Sequence, residues 1–253
     1  MKVTILGCGP SYGVPSLLNG FNKCDPKNSK NMRFRSSILI EEKGQKILVD
    51  TPPEIRLELL RAKVKKIDAL IYSHSHFDHI AGIEDIYTFT KKSNQILNIY
   101  GSRYDLNNIK NQLKHVFKDS KQKNNVILHL LKMHQIFNIK GINICPIKQY
   151  HGTVNSVGYR IGKFAYSTDV KLMDKKGWEI LQGIDTWVLG CVTDKPNNKH
   201  ICLDEAIEWI KKIHPKKAYL THLGSELDYD TLCQKLPKNI RPVYDGMTIK
   251  INT

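Results

Sequence analysis

The stretch SHSHFDHIAGI, residues 73–83, sets three histidines and an aspartate within six positions, directly after the apolar run IDALIY at 67–72. Successive side chains of an extended segment point to opposite sides, so His74 and His76 share a side and converge on one point. Asp78 and His79 fall where the chain has to turn into a helix starting near residue 82, and they face a second point close by. Four ligand-type side chains on one turn suit two neighbouring cations. With ten histidines and fifteen aspartates in 253 residues, such a window arises by chance roughly once per thousand chains.

A first-row ion takes about four to six donors, so the cluster needs partners from elsewhere in the chain. Three places supply them, each at a strand end: His151 in KQYHGTVNSVGY (148–159), Asp169 in FAYSTD (164–169) and His222 in AYLTH (218–222). A carboxylate has two oxygens and can bridge two cations, which makes Asp169 the natural shared ligand.

The surrounding pattern predicts a strand-rich fold. Alternating apolar and β-branched residues mark strands near 2–7, 36–42, 45–50, 68–73, 97–101, 126–131, 142–147, 157–162, 163–169, 186–191, 217–222 and 247–251. Helical periodicity appears at 52–64, 82–92, 103–117, 174–182, 203–213 and 229–235. An early hairpin followed by a helix, then late alternation of strand and helix, predicts α+β architecture: an αββα sandwich of two facing mixed sheets with helices on the outer faces. No repeat or flexible linker divides the chain, so one domain over 1–253 is expected. Two segments lack periodicity, 9–34 and the polar stretch 118–125. The first is too long for an idle loop and is expected to be functional or tied down.

Composition narrows the function classes. No apolar run approaches the ~18 residues needed to span a bilayer, and the N-terminal run is unlike a signal peptide. Cys8, Cys24, Cys145, Cys191, Cys202 and Cys233 are scattered without a Cys-x-x-Cys pair, which fits reduced thiols and a cytoplasmic protein. The net charge of +15 comes mainly from lysines spread along the whole chain. It reads as a solvated surface, since only clustered charge makes a nucleic-acid footprint.

HSHFDH, an isolated histidine, STD and a late THLG together resemble the binuclear metallo-hydrolases of the metallo-beta-lactamase fold. The resemblance covers essentially the whole chain. It implies that a first ion takes His74, His76, His151 and Asp169, and that a second takes Asp78, His79, Asp169 and His222. Asp50, in ILVDTPPE (47–54), matches the aspartate that orients a metal-bound histidine in that family.

Three further stretches, ILGCGPSYGVP (5–15), KNMRFRSS (30–37) and NKHICLDEAIEWI (198–210), resemble the branch typified by the phosphoribosyl cyclic phosphate phosphodiesterase of the carbon-phosphorus lyase pathway. That resemblance implies hydrolysis of a small cyclic phosphate ester by metal-bound hydroxide, with two Mn2+ or Zn2+ ions, and catalysis by His200 together with Asp78. His200 supplies the proton for the leaving alkoxide. Arg33 and Arg35 are candidates for a phosphate contact. The branch also holds a structural zinc with three cysteines and a histidine. Here only Cys24 remains and Ser225 stands at the histidine's place, so no structural zinc is expected and packing is expected to hold the 9–34 loop. The alternatives are a tRNA 3′ processing endonuclease of the same fold, without the usual arm and third-ligand signature, and a non-catalytic nucleic-acid binding module, which would have let its ligands erode. Expected partners are a small phosphate-ester substrate and no membrane. A nucleic acid is not favoured, and a homodimer stays open.

Overall fold

A computed structural model of the chain describes residues 1–118 and 125–252. The polar stretch 118–125 lies almost wholly outside those residues. Among the described residues the first sheet contains β1 (Lys2–Gly7), β2 (Ser37–Glu42), β3 (Gln45–Val49), β4 (Ala69–Ile71), β5 (Leu97–Gly101) and β6 (Val126–Leu130). The second contains β7 (Phe137–Ile139), β8 (Ile142–His151), β9 (Val154–Ile161), β10 (Phe164–Ser167), β11 (Leu172–Met173), β12 (Thr186–Gly190), β13 (Lys217–Thr221) and β14 (Ile240–Pro242), and β15 (Thr248–Lys250) returns to the first. The helices are α1 (Ile55–Arg61), α2 (Phe77–Ile80), α3 (Ile83–Lys92), α4 (Arg103–Gln112), α5 (Lys114–Lys118), α6 (Lys175–Leu181), α7 (Leu203–Ile213) and α8 (Tyr229–Lys235).

Strand order in the first sheet is β15-β1-β2-β3-β4-β5-β6, and in the second β11-β8-β9-β10-β12-β13-β14, with β7 pairing β8. Both sheets begin antiparallel and turn parallel halfway, at β3 in one and β10 in the other. The antiparallel start needs only tight turns: β2 and β3 are joined by Lys43 and Gly44, both left-handed at φ 48° and 71°, the turn whose twist matches paired strands. The parallel half needs crossovers, and helices supply them on the outer faces.

Alternation along the strands sorts the core into three layers. Ile38, Ile40, Ile47, Val49 and Ile71 face inward and meet Val157, Tyr159, Phe164, Tyr166 and Val188 of the opposite sheet. Leu39, Leu48 and Leu70, one residue out of phase, face α1, α3 and α4 through Ile55, Ile83, Ile86 and Ile109. Ala165, Trp187, Leu189 and Leu220 face α6, α7 and α8 in the same way. The central strands are therefore apolar on both sides, as parallel sheets covered on both faces require. The expected αββα sandwich is the architecture found.

Several details depart from the sequence pattern. β7, β11 and β14 are two or three residues long, too short for periodicity to reveal. The helical stretch 103–117 is two helices, α4 and α5, interrupted at Leu113. Among the described residues no helix is long and apolar enough to cross a membrane.

Candidate metal centre

β3, β4, β10 and β13 deliver their carboxyl ends to one edge of the sandwich, the usual place for a site on parallel strands. The chain leaves three of these ends in an unusual way: Asp50, Asp169 and His222 all adopt left-handed backbone, with φ of 64°, 47° and 59°. Such conformations cost a non-glycine residue about 1 kcal/mol or more and persist where the surroundings over-determine them. Here they turn the side chains off the ends of their strands towards a common centre.

Asp169 is that centre. Its Oδ1 lies 3.2 Å from His222 Nε2 and 3.7 Å from both His151 Nε2 and His200 Nδ1. Its Oδ2 lies 3.2 Å from His79 Nε2, which is also 3.3 Å from Asp78 Oδ2. His74 Nε2 and His76 Nδ1 stand 2.8 Å apart, and His74, His76 and His151 offer ligand atoms within 4.8 Å of one another. All seven side chains expected to hold metal, and His200 with them, meet in one place.

The outer nitrogens show which way the rings face. His151 Nδ1 lies 2.8 Å from the carbonyl of Lys199; a carbonyl only accepts, so Nδ1 carries the hydrogen and Nε2 presents a lone pair to the cluster. His79 Nδ1 is held by Asp50 Oδ2 at 2.8 Å, and His222 Nδ1 by the hydroxyl of Ser36 at 2.9 Å. Asp50 also accepts from the Ser73 amide at 2.7 Å and the Ser73 hydroxyl at 2.6 Å, which ties the end of β3 to the start of the histidine motif. Its side chain makes no cap on α1. Outer hydrogen bonds of this kind fix ring angle and tautomer in metal sites.

Burial acts on every group, and charge decides the outcome. His74 is held well below the usual imidazole range by burial and then by His79. Burial lowers His200 too, outweighing Asp169, and brings it to about 3. His79 goes the other way: burial opposes its charge, but Asp169, Asp78 and Asp50 outweigh burial and raise it well above 6.5. Asp169 is depressed against its own burial, by His222 and His79. The cluster is an anionic hole lined by imidazoles.

A sequence model of the beta-lactamase superfamily domain matches residues 45–223. The chain belongs to the beta-lactamase superfamily. The crystal structure of a new diphosphatase from the PhnP family is 28% identical and superposes with a TM-score of 0.91 over 99% of this chain and 98% of that one. Human tRNase Z, short form, shares the fold at TM-score 0.75 and 18% identity, over 100% of both chains. An octanoyltransferase of Porphyromonas gingivalis is 29% identical over 252 residues, 98% of this chain but 51% of the relative. The chain thus spans about half the length of that curated relative. It is a metallo-beta-lactamase fold protein of a hydrolase superfamily, related to the PhnP family, as its motifs imply.

The superfamily fold implies divalent metal ions, and the donor set fits them. His79 Nε2 is fully buried and has no hydrogen-bond partner, although two carboxylate oxygens stand within 3.3 Å. Distance is satisfied and direction is not, which is the arrangement expected when nitrogen and oxygens address a cation between them rather than each other.

The two arginines differ from expectation. Arg33 is 1% exposed, and its guanidinium donates to the carbonyls of Leu223, Gly224 and Leu227 and to Asn31 Oδ1. A phosphate contact at Arg33 is corrected to a structural role, because the side chain is buried and both terminal nitrogens donate inside the protein. Arg35 donates to the Ser11 carbonyl and pairs with Glu54. The 9–34 loop is tied down, by these hydrogen bonds and by bridges at Gly9, Val14 and Ser16, rather than by packing alone. Sequence reasoning misses Ser36, Ser73 and the Lys199 carbonyl. Ser73 was adjacent to the motif and legible in principle; Ser36 meets His222 across 186 positions and left no local signal.

Proposed function

We propose that residues 1–253 form one hydrolase domain that opens a phosphodiester in a small, cyclic phosphate ester. The observation that carries this reading is the position of Asp169, whose Oδ1 faces His222, His151 and His200 and whose Oδ2 faces His79, so that one carboxylate touches members of both ligand sets. When bound, two divalent ions, Mn2+ or Zn2+, make a nucleophile from water near neutral pH and neutralise phosphoryl charge.

The residues divide the remaining work. His74, His76 and His151 with Asp169 would hold one ion, and Asp78, His79 and His222 with Asp169 would hold the other. Asp50 keeps the His79 ring turned inward, and Ser36 does the same for His222. His200 stands beside Asp169 on the rim, partly open to solvent; held neutral by burial, it offers an N–H that hydrogen-bonds the departing oxygen as alkoxide charge grows, and the alkoxide takes its proton from solvent. The neighbouring PhnP family diphosphatase, at 28% identity over nearly the full chain, supports phosphate chemistry.

A second reading, tRNA 3′ processing, is favoured by the fold shared with human tRNase Z and by the net charge of +15. The test is to load the protein with Mn2+ or Zn2+ and offer bis(4-nitrophenyl) phosphate, ribose cyclic phosphates and precursor tRNA. Turnover of the small diesters, abolished by a chelator and by Asp169→Ala, is expected. Cleavage of precursor tRNA with no turnover of cyclic phosphates would replace the first reading with the second.

A further inference from the structure

One cleft of about 580 Å³, between Met1, Glu42 and Lys250, lies at the β2–β3 hairpin end, opposite the histidines. A second cavity, about 360 Å³, opens between the β8–β9 hairpin and the start of α4. Its walls are the immediate neighbours of the cluster. The Val157 amide donates to the carbonyl of Ser73, the residue before His74, at 2.7 Å. The Ser156 hydroxyl donates to the Asp169 carbonyl at 2.7 Å. Thr153 follows His151 by two positions in the hairpin turn. On the α4 side, Asn108 donates to the hydroxyl of Ser75, between His74 and His76, at 2.8 Å. The lining holds none of the candidate ligands, so a molecule bound here lies beside the segments that carry them and leaves the metal cluster free.

The lining selects by chemistry. Tyr104 leaves 64% of its surface exposed on the same wall system as the Met133 thioether, and ring and sulfur are the surfaces on which a flat ring packs. Lys148, Thr153 and Asn155 add an amine, a hydroxyl and an amide. Among the described residues no carboxylate lies within 4.0 Å of the Lys148 amine. The one carboxyl on the wall, Asp105, is turned inward: it accepts from Ser102, and its Oδ1 is buried. The volume lies within the range of small-molecule sites, about 300–1,000 Å³. It is room for roughly a dozen waters at ~30 Å³ each, more than a bare phosphate needs.

We propose that this cavity is the specificity site for the group attached to the scissile phosphate, and that it takes a planar heterocycle of nucleobase size. Tyr104 and Met133 supply its faces, and Lys148, Thr153 and Asn155 read its edge. The word scissile rests on the phosphodiesterase reading; the binding preference does not.

The test uses the full chain loaded with Mn2+ and calorimetric binding of adenosine 5′-monophosphate against ribose 5-phosphate. The nucleotide should bind at least tenfold more tightly. Thr153→Trp, at an exposed turn, should fill the cavity, and Tyr104→Ala should remove one face. Each should cut the preference below threefold while leaving metal content and ribose 5-phosphate affinity unchanged. Equal affinity for the two probes in the wild type, or a preference untouched by both variants, overturns the cavity assignment. Hydrolysis of bis(4-nitrophenyl) phosphate without any binding preference overturns the cavity alone. A preference without phosphodiester turnover leaves the cavity standing and overturns the proposed reaction.

Discussion

The guanidinium of Arg33 donates to the carbonyl oxygen of Gly224 at 2.9 Å, two residues after His222. With Leu223 and Leu227, at 3.2 and 2.7 Å, it satisfies three carbonyls of the segment that carries the last candidate ligand. Removing it leaves the Leu223 and Leu227 carbonyls without that donor, while Gly224 keeps the Leu227 amide at 3.1 Å. Arg33→Met should therefore lower stability by about 3 kcal/mol or more and loosen the His222 side of the site. Thermal unfolding and metal counting check this. A melting temperature within a degree of wild type would show that the loop is held by other means.

Asp50 holds the His79 ring by Nδ1 at 2.8 Å and the Ser73 amide at 2.7 Å. Asp50→Asn keeps the volume and one acceptor but gives up the charge behind His79. Metal affinity should fall by about 10- to 100-fold, the usual scale for an outer partner of a ligating histidine. Competition with a chromophoric chelator reads the effect. Unchanged affinity would mean that Asp50 serves the strand ends and not the metal.

His200 faces Asp169 at 3.7 Å, but among the described residues no backbone or carboxylate group fixes its outer nitrogen in the way seen for His79 and His151. His200→Ala should leave two ions bound per chain and slow turnover of a small phosphodiester by about 100-fold. Loss of an ion in this variant would reassign His200 to the ligands.

Glu58 lies on α1 with both carboxylate oxygens buried and unpaired. Burial first, then Asp245 and Glu54, raises it well above the ordinary glutamate range, with Arg61 opposing. A carboxyl raised in the folded chain binds its proton more tightly there than when unfolded. Stability is then greatest below the unfolded value of ~4.3 and declines as pH rises towards the folded one. Asp245, raised to about 6 by burial, acts in the same direction. Glu58→Gln should melt like wild type near pH 4 and be more stable at pH 8, by about 1–3 kcal/mol. Parallel melting curves at the two pH values would refute the buried, protonated Glu58.

The residues that define the site split into two kinds. His74, His76, Asp78 and His79 were legible because their spacing is local: period two brings the first pair together, and the turn brings the second. His151, Asp169 and His222 were legible as polar residues at the ends of apolar strands. Arg33 was misread because a basic residue beside a strand looks the same in sequence whether its guanidinium meets solvent or buried carbonyls. β7, β11 and β14 were unread because two or three residues carry no period.

The sequence alone determined the layering, since strands apolar on both faces, separated by amphipathic helices, bury themselves only as two sheets between helices. It also determined the donor types. The tertiary structure decided which strand ends meet, how the left-handed turns at Asp50, Asp169 and His222 aim their side chains, and which outer groups lock the rings. Those are contacts between residues far apart along the chain, and their directions depend on sheet packing that no local pattern encodes.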